Sequence, residues 1–400
     1  MPQPKTRSEL HTGTRAPLDL EEVALTIDHK LSESTVDMFA PISTGFPELD
    51  AQLGGGFHGG DLVLIGGVQN IGKTAVALQF AGNIADDPST LCIFVCYEHS
   101  EQAMKERLLI QHSFEGLDKP FAKAVDINKA YLDVIKERDR IAPQLRGMAN
   151  EAYTYWNRVI GRLPNGVNAW NRLSQKTHRI WLNTGHSVYS TPDALEAYVK
   201  MAVDQYKYKR IVLFVDYVQR VPVILPGVRG VIDPLERIDA VLRYLKSMAL
   251  NFVNDGIVLA VVGVAAADKE GLRQGRIHVE NLFGPETAQY EPDIALIMNK
   301  DLEKIDGCPV VRMCVEKNRH GVSDVEWRHK HYGAAFLFDR NGIVVPEDES
   351  WQAERRMLRN EQEELFKMKL LMESIGKGGF GQNPIGAIPD DVLLAGGGEG

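Results

Sequence analysis

Gly67-Val68-Gln69-Asn70-Ile71-Gly72-Lys73-Thr74 has the spacing G-x-x-x-x-G-K-T. Glycines at those positions let backbone N–H groups curl around phosphate oxygens at the start of a helix. The lysine adds a point charge at the β and γ phosphates, and the threonine hydroxyl is a Mg²⁺ ligand. The apolar run Leu62–Ile65 before the loop and the helix-compatible AVALQFAGNIA after it supply the strand–loop–helix setting that this chemistry needs. Gly67, Gln69, Asn70, Gly72, Lys73 and Thr74 are therefore expected to hold ATP and Mg²⁺. Hydrolysis also needs a carboxylate near the metal and a group to orient water. The run Ile211–Val215 ends in Asp216, which is expected to hold Mg²⁺ through water. Glu98 follows the run Leu91–Cys96 in the same way and is the candidate general base, the other reading being an ordinary acid ahead of a helix. In a parallel sheet both strand ends emerge beside the phosphate loop.

Positioning these residues requires a fold with strands buried on both faces. The runs Leu62–Ile65, Leu91–Cys96, Ile180–Leu182, Ile211–Val215, Ile257–Val262, Ile294–Met298 and Val310–Val315 are apolar throughout rather than alternating, and helical stretches separate them. That pattern predicts a doubly wound α/β domain with parallel crossovers. With 400 residues, 44% of them hydrophobic, there is material for a sizeable core. The expected organisation is an arm at 1–40 with a short amphipathic helix over Asp19–Ser32, and a core at 41–345. A helical insertion falls at about 112–177, a charged helix at 346–375 and a disordered glycine-rich tail at 376–400. Trp156 and Trp170 are assigned to packing of the insertion, and His329 and His331 to a solvated strand end. A formal charge of −9 removes the bulk electrostatic case for nucleic-acid or membrane binding and leaves only local basic patches. Four cysteines without C-x-x-C spacing, and no apolar run near 18 residues, point to a soluble cytoplasmic protein with no zinc site and no membrane partner.

The stretch Ser43-Thr44-Gly45-Phe46-Pro47-Glu48-Leu49-Asp50, then Leu53-Gly54-Gly55-Gly56, Gly60-Asp61-Leu62 and the phosphate loop resembles the opening of RecA-like ring ATPases of the DnaB, RadA and KaiC group. Asp216-Tyr217-Val218-Gln219 is similar to the D-Y-x-Q of DnaB-type helicases, and Glu101-Gln102-Ala103-Met104 to the segment after their catalytic glutamate. Lys317-Asn318-Arg319-His320-Gly321 matches the K-x-R-x-G finger. The resemblance covers roughly residues 42–340. It implies a RecA-like P-loop core with a mostly parallel sheet flanked by helices, Gln219 at the nucleotide site, and a homo-oligomeric ring, usually a hexamer. In such a ring Lys317 and Arg319 reach a neighbour's γ-phosphate and the Asp19–Ser32 helix packs on the next protomer. The other reading of Lys317 and Arg319 is a solvated basic turn.

Four departures bear on function. About 40 residues before the core leave no room for the collar domain of replicative DnaB helicases, and the zinc module of RadA-type proteins has no counterpart. Gly263-Val264-Ala265-Ala266-Ala267 stands where helicases carry a Ser-Gln sensor, and Phe283-Gly284-Pro285-Glu286 where they carry Arg-Glu-Ser-Gly. Cations for single-stranded DNA are then sought in Lys269, Arg273 and Arg276, in a glycine-containing loop, and in Arg229. A solvated surface loop is the alternative. Two functions follow: a ring ATPase that translocates on or unwinds DNA, or an ATP-driven switch or scaffold that recruits a protein partner through the insertion or C-terminal helix.

Overall fold

The computed structural model describes residues 17–33, 38–145, 154–223, 233–268, 276–323, 325–346 and 349–350, with isolated positions 353, 357 and 368. The elements run α1 (Leu20–Glu33), α2 (Pro47–Gln52), β1 (Leu62–Gly67), α3 (Lys73–Ile84), β2 (Thr90–Cys96), α4 (Glu101–Ser113), α5 (Ala124–Leu145), α6 (Thr154–Ile160), α7 (Gly166–Ser174), β3 (Ile180–Thr184), α8 (Pro192–Asp204) and β4 (Arg210–Asp216). They continue with α9 (Pro234–Asn254), β5 (Val258–Ala266), α10 (Thr287–Tyr290), β6 (Ile294–Ile305), β7 (Cys308–Asn318), β8 (Val325–Tyr332), β9 (Leu337–Phe338) and β10 (Ile343–Val344). The chain separates into two units, Met1–Val345 and Pro346–Gly400, and the site lies in the first. The charged helix and the glycine-rich tail expected beyond 346 fall almost wholly outside the described residues.

Strands β3, β2, β4, β5, β1 and β6 pair in that order and are all parallel. Period-two alternation sends Val63, Ile65, Phe94, Val212, Phe214 and Val262 to one core, beside α3 and α4. Leu62, Leu64, Ile93, Leu213, Val215 and Val261 go to the other, under α8 and α9. Both faces being apolar is the reason these strands read as continuous hydrophobic runs. Phe94 and Phe214 stack at 5.3 Å on neighbouring strands. Helix starts carry their own signals: Ser100 accepts from the Ala103 N–H, Thr191 from Ala194, and Asp233 from Leu235 and Glu236. Among the described residues no helix is long and apolar enough to cross a membrane.

The far side of the sheet departs from the parallel expectation. After β6 the chain turns at Asp306 and Gly307, with φ of 51° and 76°, and β7 returns antiparallel so that Ile305 faces Cys308. Two left-handed residues in a two-residue loop are a hairpin turn, and Asp-Gly is a preferred pair for it. β8 and β10 add further antiparallel strands. His329 on β8 is buried, with Nδ1 at 2.8 Å from the Asp339 carbonyl, and His331 stacks on Phe338 at 4.4 Å. Neither histidine is the solvated strand end expected. Between β2 and β3 the described residues include helices α4 to α7; Trp156 and Trp170 meet edge to face at 5.6 Å, and Lys105 Nζ sits 3.6 Å from the Trp156 ring centre.

Candidate active site

The parallel register brings the chemistry to one edge. Cys96, Asp216 and Val264 are neighbours across β2, β4 and β5, and Gly67 lies beside Ala266 and Met298. The loop between β1 and α3 needs its glycine at 72: φ is 104°, and a Cβ there would stand 2.6 Å from the Phe338 ring. Asn70 also takes a left-handed conformation, φ 63°. Lys73 Nζ donates to the Gly67 and Val68 carbonyls, both at 2.9 Å. Burial lowers the Lys73 pKa to about 8, against the opposing pull of Asp216 and Glu98.

Asp216 is fully buried. Its Oδ2 accepts from the Thr74 hydroxyl at 2.8 Å and from Cys96 Sγ at 3.4 Å, while its Oδ1 has no hydrogen-bond partner. Burial raises its pKa to about 6, although the Thr74 and Cys96 hydrogen bonds act the other way. A buried orphan carboxylate oxygen is costly and points to a missing partner. A hydroxyl and a carboxylate oxygen are hard donors of the kind a hydrated Mg²⁺ takes, so this pair fits that ion.

A cleft of about 260 Å³ opens here, lined by Gln69, Asn70, Lys73, Glu98, Tyr217, Gln219, Arg220, Ala266 and Ala267. Glu98 lines it together with Lys73, and Glu98 Oε1 lies 3.2 Å from Arg220 Nη2. Gln219 is less a ligand than a brace. Its amide exchanges hydrogen bonds with the Ala266 backbone, 3.3 Å and 3.4 Å, and donates to the Phe283 carbonyl at 3.0 Å. The segment Phe283–Glu286 is thereby tied to the strand that ends in Ala266. Sequence reasoning did not assign Tyr217 and Arg220 to the site; their signal was position alone, one and four residues after Asp216 at the end of β4.

Lys317 and Arg319, the residues expected to form a finger, lie elsewhere. β7 runs antiparallel, so Asn318 pairs with Ile294 at the start of β6, the sheet end opposite the phosphate loop. Lys317 Nζ donates to the Gln289 and Tyr290 carbonyls at 2.8 and 2.7 Å, and Arg319 pairs with Asp293 at 2.9 Å while also donating to Tyr290. Neither reaches the phosphate loop of its own chain. Of the cations sought for DNA, Arg229, Lys269 and Arg273 lie outside the described residues. Arg276 is turned into an ion pair with the buried Glu326 of β8 and so does not extend as a loop cation.

Comparison with known proteins agrees with this geometry. Residues 41–143 match the DnaB-like helicase C terminal domain. The DNA repair protein RadA of Pseudomonas aeruginosa is 42% identical over 81 residues, 20% of this chain and 17% of its own length. RadA of Escherichia coli is 38% identical over 78 residues, 20% of this chain and 16% of its own length. The chain thus spans about a sixth of the length of these curated relatives. In structure, a solved ATPase domain superposes with a TM-score of 0.58 at 17% identity, over 81% of this chain and 99% of that domain. A DnaB-like replicative helicase gives 0.58 at 16% identity, over 80% of this chain and 68% of its own. The chain therefore has the RecA-like fold of these ATPase domains, and its residues 41–143 are similar in sequence to the DnaB-like helicase C terminal domain.

Proposed function

We propose that this protein is a Mg²⁺-dependent ATPase that assembles as a ring, the hexamer usual for such cores, and translocates on or unwinds DNA. The observation that carries the reading is the buried Thr74–Asp216 pair with its orphan oxygen, next to a cleft lined by Lys73 and Glu98. In this reading the loop N–H groups and Lys73 hold the β and γ phosphates, in place of the carbonyls that Lys73 now contacts. Thr74 holds Mg²⁺ directly and Asp216 holds it through water. When bound, the ion would neutralise charge on the phosphate oxygens. Glu98 accepts a hydrogen bond from the attacking water, whose oxygen bonds to the γ phosphorus as the bond to the β–γ bridging oxygen breaks.

Completion of the site falls to another copy. Lys317 and Arg319 sit at the sheet end away from their own loop, which supports their acting on a neighbour's γ-phosphate, as an arginine finger does. DNA as the track is supported by the names of the matched relatives, a replicative helicase and DNA repair proteins. Turnover with and without single-stranded DNA, alongside the mass in ATP and Mg²⁺, tests the proposal. An assembled species stimulated by DNA is expected; a monomer with unstimulated turnover overturns it.

One observation favours a second reading, an ATP-driven switch that separates no strands. Among the described residues the end of β5 gives the cleft Ala266 and then Ala267, neither polar, and Arg276 is engaged by Glu326. A forked-duplex assay decides, since a switch hydrolyses ATP and leaves the fork intact.

A further inference from the structure

Arg220 belongs to none of the motifs read from the sequence, yet it is the side chain that meets Glu98. Its backbone is fixed. Val218 and Val221 on either side are buried, the Arg220 N–H donates to the Tyr217 carbonyl at 3.0 Å, and Arg237 Nη2 donates to the Gln219 carbonyl at 2.9 Å. Gln219, the preceding residue, is bonded to Ala266 and Phe283. The guanidinium is therefore carried on a rigid base at the rim of the cleft, with the long side chain as the moving part.

The contact it makes is a weak one. The Arg220 side chain is 58% exposed and that of Glu98 31%, so solvent screens the pair. A terminal phosphate carries more charge than one carboxylate and presents oxygens to which a guanidinium can donate two parallel hydrogen bonds. Where β5 ends, the described residues bring Ala266 and the following Ala267 to this cleft, neither of them polar. Arg220 is the cation beside Lys73 that lines it.

We propose that Arg220 is a γ-phosphate-reading residue that acts within its own chain: without nucleotide it holds Glu98, and a γ-phosphate draws it away, leaving the Glu98 carboxylate to accept from water. ADP lacks the group that competes for Arg220 and leaves the pair intact. The cleft then tells ATP from ADP through the same movement that readies the base. This rests on the reading above, that the loop binds ATP and that Glu98 orients water.

The test is equilibrium binding of ADP and of a non-hydrolysable ATP analogue, with Mg²⁺, to the full chain and its variants. Arg220→Ala is expected to weaken the triphosphate analogue about tenfold and leave ADP unchanged, with kcat down by about tenfold to a hundredfold. Arg220→Lys restores part of both. An unchanged ratio of the two affinities overturns the proposal, as does equal weakening of both nucleotides, which marks a structural role. Turnover that rises in Arg220→Ala also overturns it, since the arginine would then only restrain Glu98. Lys73→Ala is measured in parallel: if it binds both nucleotides as the parent does, the reading of the phosphate loop fails, whatever Arg220 does.

Discussion

The two ends of the parallel sheet treat buried charge in opposite ways. At the end where the strands begin, Asp293 accepts from the Leu62 N–H, Lys246 and Arg319 at 2.8, 2.7 and 2.9 Å. Asp61 accepts from the His58 N–H at 2.7 Å and pairs with His320 at 2.6 Å. At the end where they finish, Asp216 keeps an orphan oxygen and a raised pKa, Lys73 is depressed and bonded to carbonyls, and Glu98 has a half-exposed arginine. A matched network holds a fold together, whereas unmatched buried charges cost stability and are kept where a ligand supplies the missing partners. Lys317 and Arg319 sit at the matched end, held by their own chain, so service to a neighbour requires exchanging Asp293 and the Tyr290 carbonyl for phosphate.

That requirement gives the largest expected effect. Arg319→Ala should lower turnover of the assembled protein about 10³-fold, the usual loss for an arginine finger. Mixing it with Glu98→Gln subunits should restore part of the activity, because the Glu98→Gln chains lend an intact Arg319 to sites with an intact Glu98. Mixtures as inactive as the separate variants would place the arginine's role within its own subunit. Next is Glu98→Gln alone, expected to cost about 10²-fold or more in kcat while ATP still binds. Turnover close to the parent's would remove Glu98 as the base.

Much of the cleft end was legible in the sequence because its residues follow apolar runs. Asp216 is the last residue of β4 and Glu98 lies two past the end of β2, so strand ends alone predicted both. The antiparallel side was less legible. Asp306-Gly307 is a hairpin signal, but the apolar run Val310–Val315 was grouped with strands that helices separate. β8 escaped notice because Glu326, Arg328, His329 and Lys330 read as polar surface. Glu326 and His329 in fact point inward, one matched by Arg276 and the other by the Asp339 carbonyl. Tertiary partners decided that strand, and no local pattern carries them. Arg220 was missed for a related reason: its meaning comes from Glu98, which is distant in sequence and adjacent only once β2 and β4 pair.

The contrast in charge also predicts opposite stability changes at the two ends, both read from unfolding of the nucleotide-free chain. The folded pKa of Asp216, about 6, lies above its ordinary 3.8. The native state therefore holds that proton more tightly, and stability falls as pH rises from about 4 to 6 and stays low above. Asp216→Asn removes the buried charge, so at pH 8 it should stabilise by up to roughly 3 kcal/mol, the value of about two pKa units. The gain should fade to nothing as pH falls through 6 towards 4. Mg²⁺ with nucleotide should reverse the order, since only the parent gains its missing partner. Asp293→Asn, at pH 7, should instead destabilise by about 2 kcal/mol, because Lys246 and Arg319 lose a buried counter-charge while the Leu62 N–H can keep an acceptor. Two aspartates of one sheet, both buried, would then respond to the same isosteric change with opposite sign. Equal signs would mean that the orphan oxygen of Asp216 is satisfied in solution, and the distinction between the reserved end and the fastened end would collapse.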